Sequence, residues 1–265
     1  MEISRRKFFL SGSATSFASL QKPHIFKEQE QGDIFIVVFA SGGLDGLHFV
    51  APAEDSNYRK ARPTLALKMQ GGNAALKLKN TMPGTNFYMN AHGKELYELY
   101  NQGDLSIIHA TGSPVTSTSH FDAALTIMGS RHGAHAPDPN SWFHRHLESF
   151  STEKRKPSVG LSSNRIKNLV SGSFDTVDLT NDDAIKRKLR NLTKEYKRED
   201  EENTFPYTKG PLSRSLRNLA SLINNNSGLK AAVIDHNGWD HHNNLASGFT
   251  QQMKELSKSL FAFWH

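Results

Sequence analysis

Two carboxylates and three imidazoles fall within eight residues near the end of the chain. They are Asp235, His236, Asp240, His241 and His242 of DHNGWDHH. Carboxylate oxygen and imidazole nitrogen are the donors that zinc, manganese or magnesium take from a protein. In an extended segment, the i, i+2 spacing of Asp240 and His242 puts both on one side and turns His241 away. Two earlier segments hold groups that could complete such a site. Asp45 lies between glycines in SGGLDGL, where the backbone can turn tightly and approach an ion. Asp45, Asp240 and His242 together would suit a divalent metal. In STSHFDAAL, Ser119 and His120 stand where a helix begins. Free amides and the helix dipole there favour an anion, so Ser119 with His120 could act as a nucleophile or as an anion contact beside a metal. Each feature also has a local reading. Asp45 can serve as a turn residue, Ser119 as an N-cap with Asp122 supporting the first turn, and the histidines as surface residues.

The elements that must position these groups follow from hydrophobic periodicity. IFIVVF (34–39) is a continuous β-branched and aromatic run that ends in a glycine turn, and it reads as a buried strand. LSIIHA (105–110) and LKAAVID (229–235) read as two more strands, with a further one at PSVGL. Helices are expected at 54–61, 90–105 (Asn90 as cap, Gly103 as stop), about 119–128, within SWFHRHLESF, at 182–204, at 211–223, and from Leu245 onward. Strands alternating with helices indicate an α/β domain with a mostly parallel sheet. Ligands gather beyond the carboxyl ends of such strands. The loops after the three confident strands carry Asp45, then Ser117 to Asp122, then Asp235 to His242.

Composition narrows the class of function. With 265 residues, 37% hydrophobic and 22% charged, the chain can bury a core of ordinary size. The net charge of +6 is not a nucleic-acid footprint, because in KLRNLTKEYKRED (188–200) acids and bases alternate on a solvated helix. No stretch is apolar for long enough to span a membrane. Zero cysteines exclude a thiolate metal site, a cysteine nucleophile and disulfides. SRRKFFL (4–10) followed by SGSATSFASL (11–20) has the order of an export signal: paired arginines, a modest apolar stretch, then small residues with a cleavage point after Ala18. Doubled arginine is the cue for the bacterial twin-arginine route. Residues 1–20 are therefore expected to be a signal peptide read by the twin-arginine translocation machinery, 21–33 a tether, and 34–265 the domain of a periplasmic or otherwise exported protein.

VVFASGGLDGLHFVAP with YRKARPTLAL, then LSIIHATGSPVTSTSHFDA, then GWDHHNN, occur in this order along the chain. The sequence in this respect resembles a bacterial exported family known as domain of unknown function fifteen hundred and one, of the alkaline phosphatase and sulfatase-like superfamily. The resemblance implies a three-layer α/β/α sandwich with a metal site at the strand ends. It implies Asp45 as a first-strand metal ligand, Ser119 near the nucleophile position, and Asp240 with His242 as later ligands. Family members continue through a further strand and an Asp-His-Gly-like loop that this sequence lacks. The chain is thus expected to be incomplete at its C-terminus.

Two functions are consistent with this reading. One is a metal-dependent hydrolase of phosphate or sulfate esters, with a small-molecule or glycan ester as substrate. The other is a non-catalytic truncated paralogue, or a binding or assembly protein of the envelope.

Overall fold

The structure is a computed structural model, and it describes residues 33–79, 81, 84–112, 118–127, 141–151, 157–163, 174–192, 206–225 and 227–265. The expected signal peptide and most of the tether lie outside the described residues.

At the centre is β7 (Leu229–His236), whose residues are buried along nearly the whole strand. A strand covered on both faces must be apolar throughout, which is why LKAAVID shows no alternation. Parallel to it on one side runs β1 (Phe35–Ala40), in register from Phe35 opposite Ala231 to Ala40 opposite His236. On the other side lies β5 (Ser158–Leu161), followed by β6 (Asp175–Asp178), again parallel. The sheet order is β1-β7-β5-β6. A second, antiparallel sheet of two-residue strands joins β2 (Val50–Ala51), β4 (Tyr88–Met89) and β3 (Leu76–Lys77).

Helices cover both faces of the parallel sheet. Ala231 and Val233 of β7, with Val37 of β1, pack against Phe143 and Leu147 of α5 (Trp142–Glu148). Ala232 and Ile234, with Ile36 and Val38, face the larger cluster. That cluster is built from α3 (Lys94–Gln102), α6 (Asp182–Leu192), α7 (Pro211–Asn224) and α8 (Leu245–Trp264). The remaining helices are short: α1 (Gly46–Phe49), α2 (Ser56–Ala61) and α4 (His120–Ile127). The expected α/β class with a parallel sheet is therefore present. Among the described residues no helix is long and apolar enough to cross a membrane.

LSIIHA does not form the expected strand. Residues 105–109 have no regular structure, and Ala110 has a left-handed φ of 54° that ends any extended run. His109 stacks on Phe87 with ring centroids 4.0 Å apart, Ile107 packs on the core, and Ile108 is left exposed. The apolar residues are thus used individually against the small sheet and α3 side rather than as a strand face. Conversely, β6, which consists of DTVD, carries too few apolar residues to stand out in the sequence.

Small polar residues fasten α8 to its neighbours. Ser257, fully buried on α8, accepts from the Leu96 amide at 3.1 Å and donates to Glu95 Oε2 at 2.8 Å, so it closes the open N-terminal turn of α3. Glu255 does the same for α7, accepting from the Leu212 amide at 3.1 Å. Replacing Ser257 by Ala leaves the Leu96 amide buried and unpaired. The expected loss is about 2 kcal/mol, seen in urea unfolding as a lower midpoint with an unchanged slope.

Candidate metal centre at the strand ends

The carboxyl ends of the central strands are stitched together by their own polar groups. Ser41, the residue after β1, donates its amide to His236 O at 3.1 Å and its hydroxyl to Asp235 Oδ1 at 2.5 Å. The Trp239 amide returns to Ser41 O at 3.3 Å, and the Asp235 amide donates to Ser162 Oγ, just past β5, at 2.8 Å. The loop after β7 is thereby pinned to the end of β1 before it reaches Asp240.

From there the loop alternates. Trp239 is fully buried, Asp240 is exposed, the His241 ring turns inward against Gly248 and Phe249 of α8, and His242 is exposed. The indole of Trp239 lies edge-on to Phe249 at 5.3 Å and donates Nε1–H to His236 Nδ1 at 3.2 Å. Since Nδ1 accepts, His236 carries its proton on Nε2. Asp240 and His242 therefore share the outer side, as their spacing predicts, and the two inward rings anchor them.

Asp240 Oδ1 lies 2.9 Å from His242 Nε2 and 3.6 Å from His120 Nε2. The three donor atoms are all within 4.8 Å of one another. Tetrahedral zinc bonded at about 2.1 Å separates its ligand atoms by roughly 3.4 Å, so these distances fit a single ion held by two nitrogens and one oxygen. The same atoms are within ion-pairing reach when a histidine is protonated. Two imidazoles suit zinc better than magnesium, which prefers oxygen donors. Three ligands from the described residues are the number that catalytic zinc sites take from the protein, beside a water or substrate.

Asp45 stands outside this group. Its Oδ1 accepts from the His48 amide at 3.1 Å and caps α1, and its Oδ2 is ion-paired with Arg62. Ser119 is the residue before α4: its carbonyl accepts from Ala123 N at 3.0 Å and its Oγ from Asp122 N at 3.3 Å. Of the residues singled out in the sequence, His120, Asp240 and His242 are brought together, with Ser119 one residue away along the chain. His120 enters as a prospective ligand rather than as the partner of a nucleophile. Its signal in the sequence was weak, because nothing in STSHFD fixes which side chain faces the distant DHNGWDHH loop. Comparison with protein-family models, with curated proteins and with solved structures finds no match.

Behind the outer donors His236 and His48 are held neutral. Burial pushes the His236 imidazole down to about 4, only partly opposed by the Gln252 side chain. Burial also lowers His48, while its Nδ1–H donates to Leu65 O at 3.0 Å and its ring packs on Phe249. His236 in the unfolded chain titrates near its ordinary 6.5. As the pH falls the unfolded state takes up that proton first. The stabilisation is complete above about pH 6.5 and is lost progressively toward pH 4, by about 3 kcal/mol. Urea midpoints measured across this range should fall steeply for the natural chain, and less steeply for His236→Asn, whose Oδ1 takes the place of Nδ1 as acceptor for Trp239.

Proposed function

We propose that the chain is an exported metal-dependent hydrolase of phosphate or sulfate esters, built on an alkaline phosphatase-like α/β/α domain. The observation that carries the reading is the meeting of His120 with Asp240 and His242. These donors come from segments 120 residues apart and meet at the carboxyl ends of a parallel sheet. The order of sequence motifs and the paired arginines at the N-terminus support the same assignment, together with passage through the twin-arginine machinery.

In this reading His120, Asp240 and His242 hold one divalent ion, with zinc or manganese favoured by the nitrogen donors. An ion held there would supply Lewis-acid chemistry toward an ester or water. The chain's own contribution is arrangement. The N-terminal end of α4 places a helix dipole beside the ion, where a phosphate or sulfate group is stabilised. In this reading Ser119, at that same end, would attack or contact the anion. Hydrolysis adds water across the P–O or S–O bond and releases an alcohol and the inorganic anion. Small-molecule and glycan esters both suit a site as exposed as this one.

Equilibrium dialysis of the purified full chain against zinc should find about one ion per chain. His120→Ala and Asp240→Ala should each weaken binding by about a hundredfold or more, and each should abolish turnover of an aryl phosphate or aryl sulfate. Asp45→Ala should cost about 1 kcal/mol of stability through the lost cap and leave the ion count unchanged. Absence of both bound ion and turnover in the natural chain would sink the proposal and leave a binding or assembly role in the envelope.

A further inference from the structure

We propose that Gly43 is a positioning residue of this site, its bare Cα forming the seat that sets where the His120 imidazole stands. The assignment rests on reading His120, Asp240 and His242 as a metal site.

Gly42 and Gly43 follow β1 with consecutive left-handed φ values of 112° and 86°. Each faces one half of the donor set. A Cβ on Gly42 would lie 2.6 Å from Asp240 N and 3.1 Å from Asp240 Cβ. A Cβ on Gly43 would lie 2.6 Å from His120 Cε1, 3.1 Å from its Nδ1 and 3.4 Å from its Nε2. Among the described left-handed glycines the closeness varies, and at Gly238, with φ of 100°, a Cβ would lie 2.4 Å from Gln252 Nε2. Gly71, Gly84 and Gly103 also have φ between 85° and 90°, yet a Cβ at any of them would meet nothing within 4 Å.

His120 has little else to orient it. Its side chain is exposed and, among the described residues, meets Asp240 at 3.6 Å and the His242 ring at a centroid distance of 6.4 Å. Among the described residues Gly43 supplies a wall on another side of the ring. A methyl group there would push the ring back by about 1 Å, whereas a metal ligand tolerates about 0.2 Å. The glycine pair thus does two jobs. It makes the turn after β1, and it sets the gap between a ring carried by α4 and a carboxylate carried by the loop after β7.

The test is a double-variant cycle read by cobalt(II) titration of the full chain, following both affinity and the visible absorption that reports nitrogen ligation. Gly43→Ala should weaken cobalt binding about tenfold to a hundredfold and alter the spectrum as His120→Ala does. The double variant Gly43→Ala/His120→Ala should bind no more weakly than His120→Ala alone, because the seat matters only through the ring. Gly71→Ala carries the same backbone strain without the contact and should leave the cobalt spectrum unchanged. Urea unfolding supplies a second readout if Gly43→Ala folds poorly: removing the ring in the double variant should recover the part of the loss that exceeds the backbone strain seen in Gly71→Ala. Additive losses in the cycle, or no recovery of stability, would overturn the assignment while the metal site stands. No cobalt binding by the natural chain would overturn the metal reading and this assignment with it.

Discussion

The six-residue parallel pairing of β1 with β7 is the constraint on which the rest depends. It brings residues 35–40 against residues 231–236, nearly two hundred positions apart, and ends both strands at the same height. Loop closure over that separation is entropically expensive and is offset by burial on both faces of β7. Once the pairing is made, Ser41 and Asp235 meet, Trp239 turns back to Ser41, and Asp240 emerges beside the glycine turn. The candidate site is in this sense a by-product of strand register. A slip of one residue would exchange the two faces of β1 and carry Gly42 and Gly43 away from their contacts.

Packing and chemistry are joined most closely in residues 239–242. Inward side chains at 239 and 241 join the apolar layer formed with Phe249, and outward side chains at 240 and 242 carry the donors. Neutral His236 allows this arrangement, because a charged imidazole beneath the indole would be buried without a counter-ion. His236 in the inner layer and the exposed outer histidines differ in surroundings. The same residue type serves as core filler in one layer and as a prospective ligand in the next.

Much of this was legible from the residues, for identifiable reasons. The buried strands β1 and β7 announce themselves as unbroken apolar runs, and a left-handed Gly103 ends α3 where the sequence places its stop, whereas the expected cap Asn90 serves the short 3-10 turn Ala91–Gly93 and α3 itself starts at Lys94. LSIIHA misled because a short apolar run has the composition of a strand whether or not a partner strand exists. Only tertiary context reveals that His109 has stacked on Phe87 instead. At the site, the alternation of Asp240 and His242 was readable from local geometry. The participation of His120 and the detachment of Asp45 were not. Both depend on long-range neighbours, the first on Gly43 and the second on Arg62.

The three donors are anchored unequally. Asp240 and His242 continue directly from the central strand through buried Trp239 and lead into α8, so the core holds their backbone from both sides. His120 rides on an eight-residue helix whose far end is held by the Trp142 indole, which donates to Ile127 O at 2.8 Å. An ion bound by both halves would tie that helix to the most cooperative part of the molecule. The persistence of its hydrogen bonds would then vary with free ion concentration, making segment 118–127 a local gauge of occupancy.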